Sequence, residues 1–240
     1  MDKLEEMFHL FQARIPETAR RIRPEIIRMS ELFATCAQAG GVIQLFGVRH
    51  GEEFVNELNF RAGGLAPFHA IRPMDMALNG LIEKDCVESG DVFNRADLLS
   101  TLLGLYKLDA RDLYCIVSAG GNEPLSLALA HEAKANGHVL TAVVNRKTVA
   151  KETGETVADL ADCILDMGAD DPDMATVVQD QPIGQLGSTL ANVSAQMITA
   201  EMYAWYVRNG LKAPVLLSAN NEGADRHNAA LTDPYNGRIR

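Results

Sequence analysis

The sequence predicts an α/β fold: a doubly wound, mainly parallel five-stranded sheet flanked by helices. Short apolar runs alternate with helical patterns along the chain, which is typical of parallel strands that are joined by helices. Two of these runs, beginning at Val42 and Leu113, end in glycine-rich turns that lead directly into a helical pattern. The length of 240 residues fits one domain of this class.

The first forty residues are predicted to be helical. Apolar residues recur at helical spacing through residues 3–39. Pro16 and Pro24 each suit the first turn of a new helical segment, and the pair Gly40-Gly41 ends the region.

The remaining elements follow from the same patterns. Three segments rich in polar residues, Gly or Pro are predicted to be irregular, namely 73–94, 145–156 and 168–184. The predicted strands are 42–46, 65–71, 113–117, 139–144 and 162–165, with one more considered at 215–217. The predicted helices are 52–61, 94–108 with Asn94 as its N-cap, 123–135 and 188–209.

The composition argues against several classes of function. A formal net charge of −10 disfavours nucleic acid as a partner, because a phosphate-binding surface needs surplus Lys and Arg. No apolar run is long enough to span a membrane, and the N-terminus does not resemble a signal peptide, so we expect a cytoplasmic protein. The four cysteines form no CxxC pair, and no dinucleotide or P-loop motif occurs. We therefore expect no cofactor.

Two turns at strand ends are predicted to form a ligand site. In an open parallel sheet, ligands bind beyond the carboxyl ends of the strands, where free N–H groups of a helix N-terminus favour an anion. The alternative is that the glycines only permit tight turns. The candidate residues are Gly47 and Gly51 in the first turn (47–51), and Ser118, Gly120, Gly121 and Asn122 in the second turn (118–122).

We expect the second turn to hold an anionic group of the ligand, chiefly through backbone N–H groups. Glu123 opposes this arrangement, because its carboxylate competes for the same positive helix end. Arg49 would offset the repulsion if it leaned across from the first turn.

Several longer stretches resemble one known family. The stretch GVRHGEEFVNELNFRAGG (47–64) is similar to a family pattern that begins GTGHS and ends EELFYRAGG. VSAGGNE (117–123) is similar to ISNSGRN, and HEAKANG (131–137) matches the end of the helix that follows. SANNEGADRHN (218–228) is similar to SANxxGxDxHN. The whole chain thus resembles the SIS (sugar isomerase) domain proteins, most closely an uncharacterised bacterial group described as phosphosugar-binding.

The resemblance implies a flavodoxin-like, three-layer sandwich that binds a sugar phosphate. It also implies one domain over residues 1–240, with an N-terminal helical segment (1–40) and a C-terminal extension (210–240). The SIS proteins tend to build their sites between subunits. The apolar faces of the N-terminal helices also favour self-association, so we expect a homodimer or a dimer of dimers.

The chain departs from this family at the two turns. Gly51 and Gly120 stand where the family pattern implies serine, so two side-chain donors are missing. Arg49 stands where the pattern has glycine; its guanidinium either replaces the lost hydroxyls as an anion ligand or points to solvent. His50 lies within the same turn and is a further candidate ligand.

The candidate catalytic residues are two glutamates and a histidine. The resemblance places an active glutamate at Glu57, and Glu53 lies one helical turn before it on the same face. Two close carboxylates can raise one pKa, as a general base requires, although Glu53 also fits a surface acid. His227 suits sugar-ring opening because histidine titrates near neutrality. A divalent metal shared by His50, Glu57 and His227 is a minor alternative.

Three further polar residues complete the candidate set. Asn220 lies in the same polar segment as His227. Ser188 and Thr189 open the last long helix, either as its N-cap or as hydroxyl contacts to the ligand.

Aldose–ketose isomerisation of an anionic sugar is therefore the leading hypothesis, with the glutamate as base and His227 as the ring-opening group. The missing serines favour a second hypothesis, a non-catalytic phosphosugar-binding module or sensor. Lyase or deaminase chemistry on an amino sugar is the third.

Overall fold

The computed structural model describes residues 2–168 and 176–239. Its strands are β1 (Ile43–Gly47), β2 (Phe68–Ile71), β3 (Leu113–Val117), β4 (Leu140–Val144), β5 (Cys163–Asp166), β6 (Thr176–Val178) and β7 (Gln181–Ile183). Its α-helices are α1 (Lys3–Arg21), α2 (Arg23–Gln38), α3 (Gly51–Leu58), α4 (Pro73–Leu78), α5 (Lys84–Glu88), α6 (Leu99–Leu103), α7 (Pro124–Ala135), α8 (Arg146–Val149), α9 (Val157–Leu160), α10 (Leu186–Arg208) and α11 (Ala224–Thr232). Short 3-10 turns cover Asp91–Asn94, Ala96–Leu98 and Asp233–Tyr235.

Five strands form one parallel sheet in the order β2-β1-β3-β4-β5. Ile43 of β1 lies level with Phe68 of β2 on one side and with Leu113 of β3 on the other. The strand order therefore reverses between β1 and β3, and the crevice at such a point is where open α/β sheets bind ligands. The predicted fold class is confirmed.

Both faces of the sheet are buried, because alternate strand residues supply two separate cores. Ile43 and Leu45 of β1 join Phe33 of α2 and Phe54 of α3 beneath α10. Phe46 of β1 lies on the opposite face with residues of α6, α7 and α9. Burial of both faces explains why the strands are mainly apolar and do not alternate with polar residues. The result is a three-layer sandwich.

Three predicted elements differ in the structure. The segment before β2 is not strand, since Leu65 makes only an isolated antiparallel bridge to Val215, and no strand 215–217 forms. The predicted helix 94–108 is broken into 3-10 turns and α6. Arg95, with a φ of −111° and a ψ of 77°, has a non-helical backbone that separates the turn ending at Asn94 from the turn beginning at Ala96. Asn94 closes a 3-10 turn and is no N-cap.

Regions predicted as irregular contain short ordered elements. Residues 73–94 include α4 and α5, and 145–156 includes α8. In the predicted loop 168–184, β6 and β7 form an antiparallel hairpin whose two turn residues, Gln179 and Asp180, both have positive φ. Residues 169–175 of that loop lie outside the described part.

The N-terminal region also differs in one detail. It forms two helices that meet at Ile22, with Pro24 in the first turn of the second, as predicted. Pro16 lies inside α1 and does not begin a new segment. Within the described residues, the helices are too short or too polar to cross a membrane.

Candidate functional site

A cavity of about 210 Å³ lies at the carboxyl edge of the sheet. The first turn, the second turn and the start of α10 enclose it, which is the crevice that the strand order predicts. Its lining includes Arg49, His50, Gly51, Ala119, Glu123 and Ser188. The structure therefore brings together residues from both predicted turns.

The first turn packs tightly against β3. The Val48 amide donates to the Val117 carbonyl at 2.9 Å, and the Gly51 amide closes the turn onto the Val48 carbonyl at 2.8 Å. A Cβ at Gly51 would overlap the Val117 carbonyl, whose carbon would lie only 3.0 Å away. Gly47 is equally confined, since its Cβ would lie 2.7 Å from the Glu52 amide nitrogen. Both glycines are required by close backbone approach.

Arg49 occupies an unusual backbone conformation at the tip of this turn. Its φ is 51°, in the left-handed region that a side chain rarely adopts. Its guanidinium lies against Gly90. A Cβ added to Gly90 would be 3.1 Å from both terminal nitrogens of the Arg49 guanidinium. Across the described part of the chain, the Arg49 side chain has no hydrogen-bond or ion-pair partner. Its charge is therefore available at the rim of the cavity.

The amides of the cavity wall are also available. Those of Arg49, His50 and Ala119 donate to no acceptor within residues 2–168 and 176–239. The His50 ring accepts from the Gln185 side-chain amide at 3.2 Å, which links the first turn to the start of α10. Unpaired N–H groups in a turn before a helix are a usual setting for an anion.

The second turn, in contrast, is largely satisfied from within. The Ser118 hydroxyl donates to the Glu123 carboxylate at 2.8 Å and accepts from the Gly121 amide at 2.9 Å. Gly121 needs its positive φ of 72°, and a Cβ there would lie 2.6 Å from Val157 Cγ2. The Asn122 side chain donates to Glu152. The carboxylate of Glu123 thus takes the position at the start of α7 that was expected to hold a ligand anion.

Glu57 and Glu53 lie on α3, outside the cavity lining. Glu57 forms an ion pair with Arg61 and accepts a hydrogen bond from the Gln196 side chain of α10. Glu53 is exposed. Neither carboxylate contacts the cavity in this arrangement, so the proposed base remains a prediction.

His227 and Asn220 lie near the opposite edge of the sheet. The His227 ring donates from Nε2 to the Val215 carbonyl at 2.9 Å. Val215 bridges to Leu65, which precedes β2 and so lies at the amino end of the strands. Asn220 is exposed, and its backbone amide donates to the Ser218 hydroxyl at 3.3 Å. Within one chain, neither residue reaches the cavity.

The possible metal cluster does not form among the described residues. No group of three His, Cys, Asp or Glu side chains comes close enough there to hold an ion, so His50, Glu57 and His227 do not meet as ligands.

The contact made by His227 predicts a structural effect. We expect His227→Ala to lower the melting temperature, because a half-buried carbonyl at Val215 loses its donor at a cost of about 1–3 kcal/mol. Thermal unfolding would measure it, with Asn220→Ala as the exposed control. An unchanged melting temperature together with a loss of any measured turnover would instead support the catalytic role.

The start of α10 differs from its predicted boundary. The helix begins at Leu186 with Gln185 as its N-cap, so Ser188 and Thr189 lie inside the first turn and do not cap it. Ser188 lines the cavity, and its hydroxyl lies 3.4 Å from the Gln185 side-chain oxygen. Gly120 lies outside the lining, with Glu152 as the nearest neighbour of an added Cβ.

Sequence reasoning missed Asn145 and Gln185 in the cavity lining. Asn145 follows β4, which pairs with β3, and its amide donates to the Ala119 carbonyl at 3.0 Å. The rule that parallel strands end at one edge would have found it. Gln185 has no comparable signal, because the segment before α10 shows no clear pattern.

Comparisons with known proteins agree with this architecture. The model of the SIS domain matches residues 8–145. A UPF0309 protein of Geobacillus thermodenitrificans is 24% identical over 243 residues, covering 98% of this chain and 96% of its own.

Two solved structures share the fold. The phosphoheptose isomerase from Francisella tularensis superposes with a TM-score of 0.52 at 15% identity, over 83% of this chain and 100% of its own. The Vibrio vulnificus NanR protein complexed with ManNAc-6P superposes with a TM-score of 0.50 at 13% identity, over 87% of this chain and 65% of its own. With the family model matching more than half of its length, the chain belongs to the SIS domain family.

Proposed function

We propose that the protein binds an anionic sugar, a sugar phosphate, in the cavity between the two turns and α10. The observation that carries the proposal is that one cavity is lined by the unpaired side chain of Arg49 and by the first turn, whose Arg49 and His50 amides are free. Membership of the SIS family supports it, as does the fold shared with a protein that is complexed with ManNAc-6P.

The anionic group is best held at the first turn. Its amides precede α3, whose N-terminus carries a partial positive charge. The Arg49 guanidinium can add a bidentate, charge-assisted contact to phosphate oxygens. The second turn is the poorer position, because Glu123 already places a negative charge there.

Binding without turnover is favoured over isomerisation by one observation. Glu57 is held by Arg61 and Gln196, and it does not line the cavity. Isomerisation by Glu57 and His227 requires the glutamate to leave these partners and His227 to come from a second copy of the chain. Proton exchange at C1 and C2 of aldose and ketose phosphates, with Glu57→Gln as control, decides between the two.

Self-association into a dimer or tetramer remains a prediction. Leu4 and Phe8 of α1 are 80% and 61% exposed, which leaves an apolar strip that a second copy can cover. Light scattering at micromolar concentration measures it, and it bears on whether His227 can enter a shared site.

Arg49→Ala is expected to weaken binding of a sugar phosphate by roughly 10- to 150-fold. A hydrogen bond to a charged group contributes about 1.5–3 kcal/mol, and 1.4 kcal/mol is about tenfold in affinity. Isothermal titration of a phosphosugar that stabilises the protein in a thermal-shift screen would measure the loss.

Two controls separate this effect from general damage. Arg95→Ala removes another exposed arginine, one that pairs with Asp97, and should leave affinity unchanged. The uncharged parent sugar should lose little affinity with Arg49→Ala. An equal loss for the phosphate and for the uncharged sugar would show that Arg49 does not bind the anion.

A further inference from the structure

The cavity carries two opposite charges that are not paired with each other. Arg49 and Glu123 both line it, and no ion pair joins them. In the part of the chain that the structure describes, Glu123 has no cationic partner at all. A small cavity with one free cation and one uncompensated carboxylate is suited to a ligand that carries both signs of charge.

Among the described residues, the Glu123 carboxylate accepts hydrogen bonds only from hydroxyl groups. Ser118 Oγ lies 2.8 Å from each carboxylate oxygen, and Ser126 Oγ lies 3.3 Å from Oε2. Both serines are fully buried, at 1% and 0% exposure, so the carboxylate is fixed against the wall. Each hydroxyl supplies one proton, whereas a carboxylate accepts at about four positions. Acceptor capacity therefore remains on the side that faces the cavity.

This carboxylate changes what the second turn can bind. A small side chain at the same position would leave the start of α7 open to an anion. With Glu123 present, a phosphate placed there would meet a negative charge at close range, while an ammonium group would gain a charge-assisted bond. The second turn is therefore suited to a hydrogen-bond donor or a cation of the ligand.

We infer that Glu123 binds an ammonium group of the ligand, and that the ligand is an amino-sugar phosphate whose anion lies at Arg49 and the first turn. This inference rests on the proposed function, which it narrows to one substrate class. The cavity volume of about 210 Å³ lies below the roughly 300–1,000 Å³ of most ligand pockets, which favours a ligand with a single sugar unit.

Matched pairs of ligands test the inference without any change to the protein. The 6-phosphates of glucose, mannose and galactose would each be titrated against the corresponding 2-amino sugar and its N-acetyl derivative. We expect at least one amino sugar to bind tenfold or more tightly than both of its partners, because only the free amine is positively charged.

Glu123→Gln then tests the residue. The amide keeps the size of the side chain and an oxygen that Ser118 can reach, so the melting temperature should stay near that of the wild type. The preference for the amine should fall below twofold. Glu123→Asp, which keeps the charge, provides a second variant if the amide disturbs the turn, and should retain part of the preference.

The outcomes distinguish the inference from the proposed function. If the sugar phosphates bind in an Arg49-dependent manner but amine, hydroxyl and N-acetyl forms bind equally, the inference is wrong and the proposed function stands. If the preference survives in Glu123→Gln, another residue binds the amine and the inference is also wrong. If no member of the panel binds the wild type, both are wrong.

Discussion

Gly51→Ser is expected to lower the free energy of unfolding by about 3 kcal/mol, the upper end of the usual cost of overpacking. An added Cβ at this position would overlap the Val117 carbonyl oxygen, which belongs to the backbone of β3 and cannot turn aside. Either α3 or β3 must shift. A change of this size lowers the melting temperature by roughly 6–12 °C in a chain of this length, which calorimetry or circular dichroism would measure.

Gly120→Ser is the matched control in the other turn. The nearest atom to its added Cβ is the end of the flexible Glu152 side chain, 3.0 Å away, and the backbone needs no positive φ. We expect a change within about 0.5 kcal/mol, as for most surface substitutions. Equal destabilisation by both serines would contradict the packing explanation. Steric overlap with β3 thus excludes the serine of the family pattern at position 51, whereas position 120 has room for a serine that this chain lacks.

Asp112→Ala is expected to cost about 3–5 kcal/mol, the usual effect of removing one partner from a buried ion pair. The Asp112 side chain is fully buried and forms an ion pair with Arg238. It also accepts from the amides of Val42 and Asp109, at 2.9 and 3.0 Å, and from the Gln44 side chain at 2.9 Å. Each of these donors would be left without its acceptor in the variant.

Urea unfolding would measure this loss, and Asp97→Ala is the matched control. Asp97 forms an ion pair with Arg95, but both side chains are more than half exposed, so its removal should cost no more than about 1 kcal/mol. If the two alanine variants have the same midpoint of unfolding, Asp112 does not stabilise the amino edge of the sheet.

The sequence predicted the layers of the fold because its signal was strong there. Each strand of the sheet is mainly apolar on both faces, and such strands occur when both faces are covered by helices. Hydrophobic periodicity does not indicate the order of the strands in the sheet. That order determines that the cavity lies where β1 and β3 are neighbours. Hydrophobic periodicity also failed at Arg95, where a non-helical backbone interrupts the predicted helix 94–108.

The sequence indicated positions best for residues that adjoin strand ends, although their role in binding stays a prediction. Arg49, His50 and Gly51 follow β1, and they line the cavity as strand-end residues should. His227 was proposed because it lies in the motif at 218–228 that resembles the SIS family, and such a motif does not specify where a residue lies in the fold. Glu123 was recognised as a competitor for the helix end, but its contact with Ser118 depends on a rotamer that no sequence pattern specifies.

The neighbouring positions of β1 and β3 also bear on how the protein folds. Ile43 and Leu113 lie side by side although about 70 residues separate them in the sequence. Closing so long a loop is entropically costly, which makes this pairing slow compared with local contacts. The cavity needs both strands and α10 in place, so a bound ligand recognises only the completed protein. A bound ligand would therefore lower the unfolding rate constant and leave the refolding rate constant nearly unchanged. Its stabilising effect would be kinetic, because it slows the loss of structure and does not assist its formation.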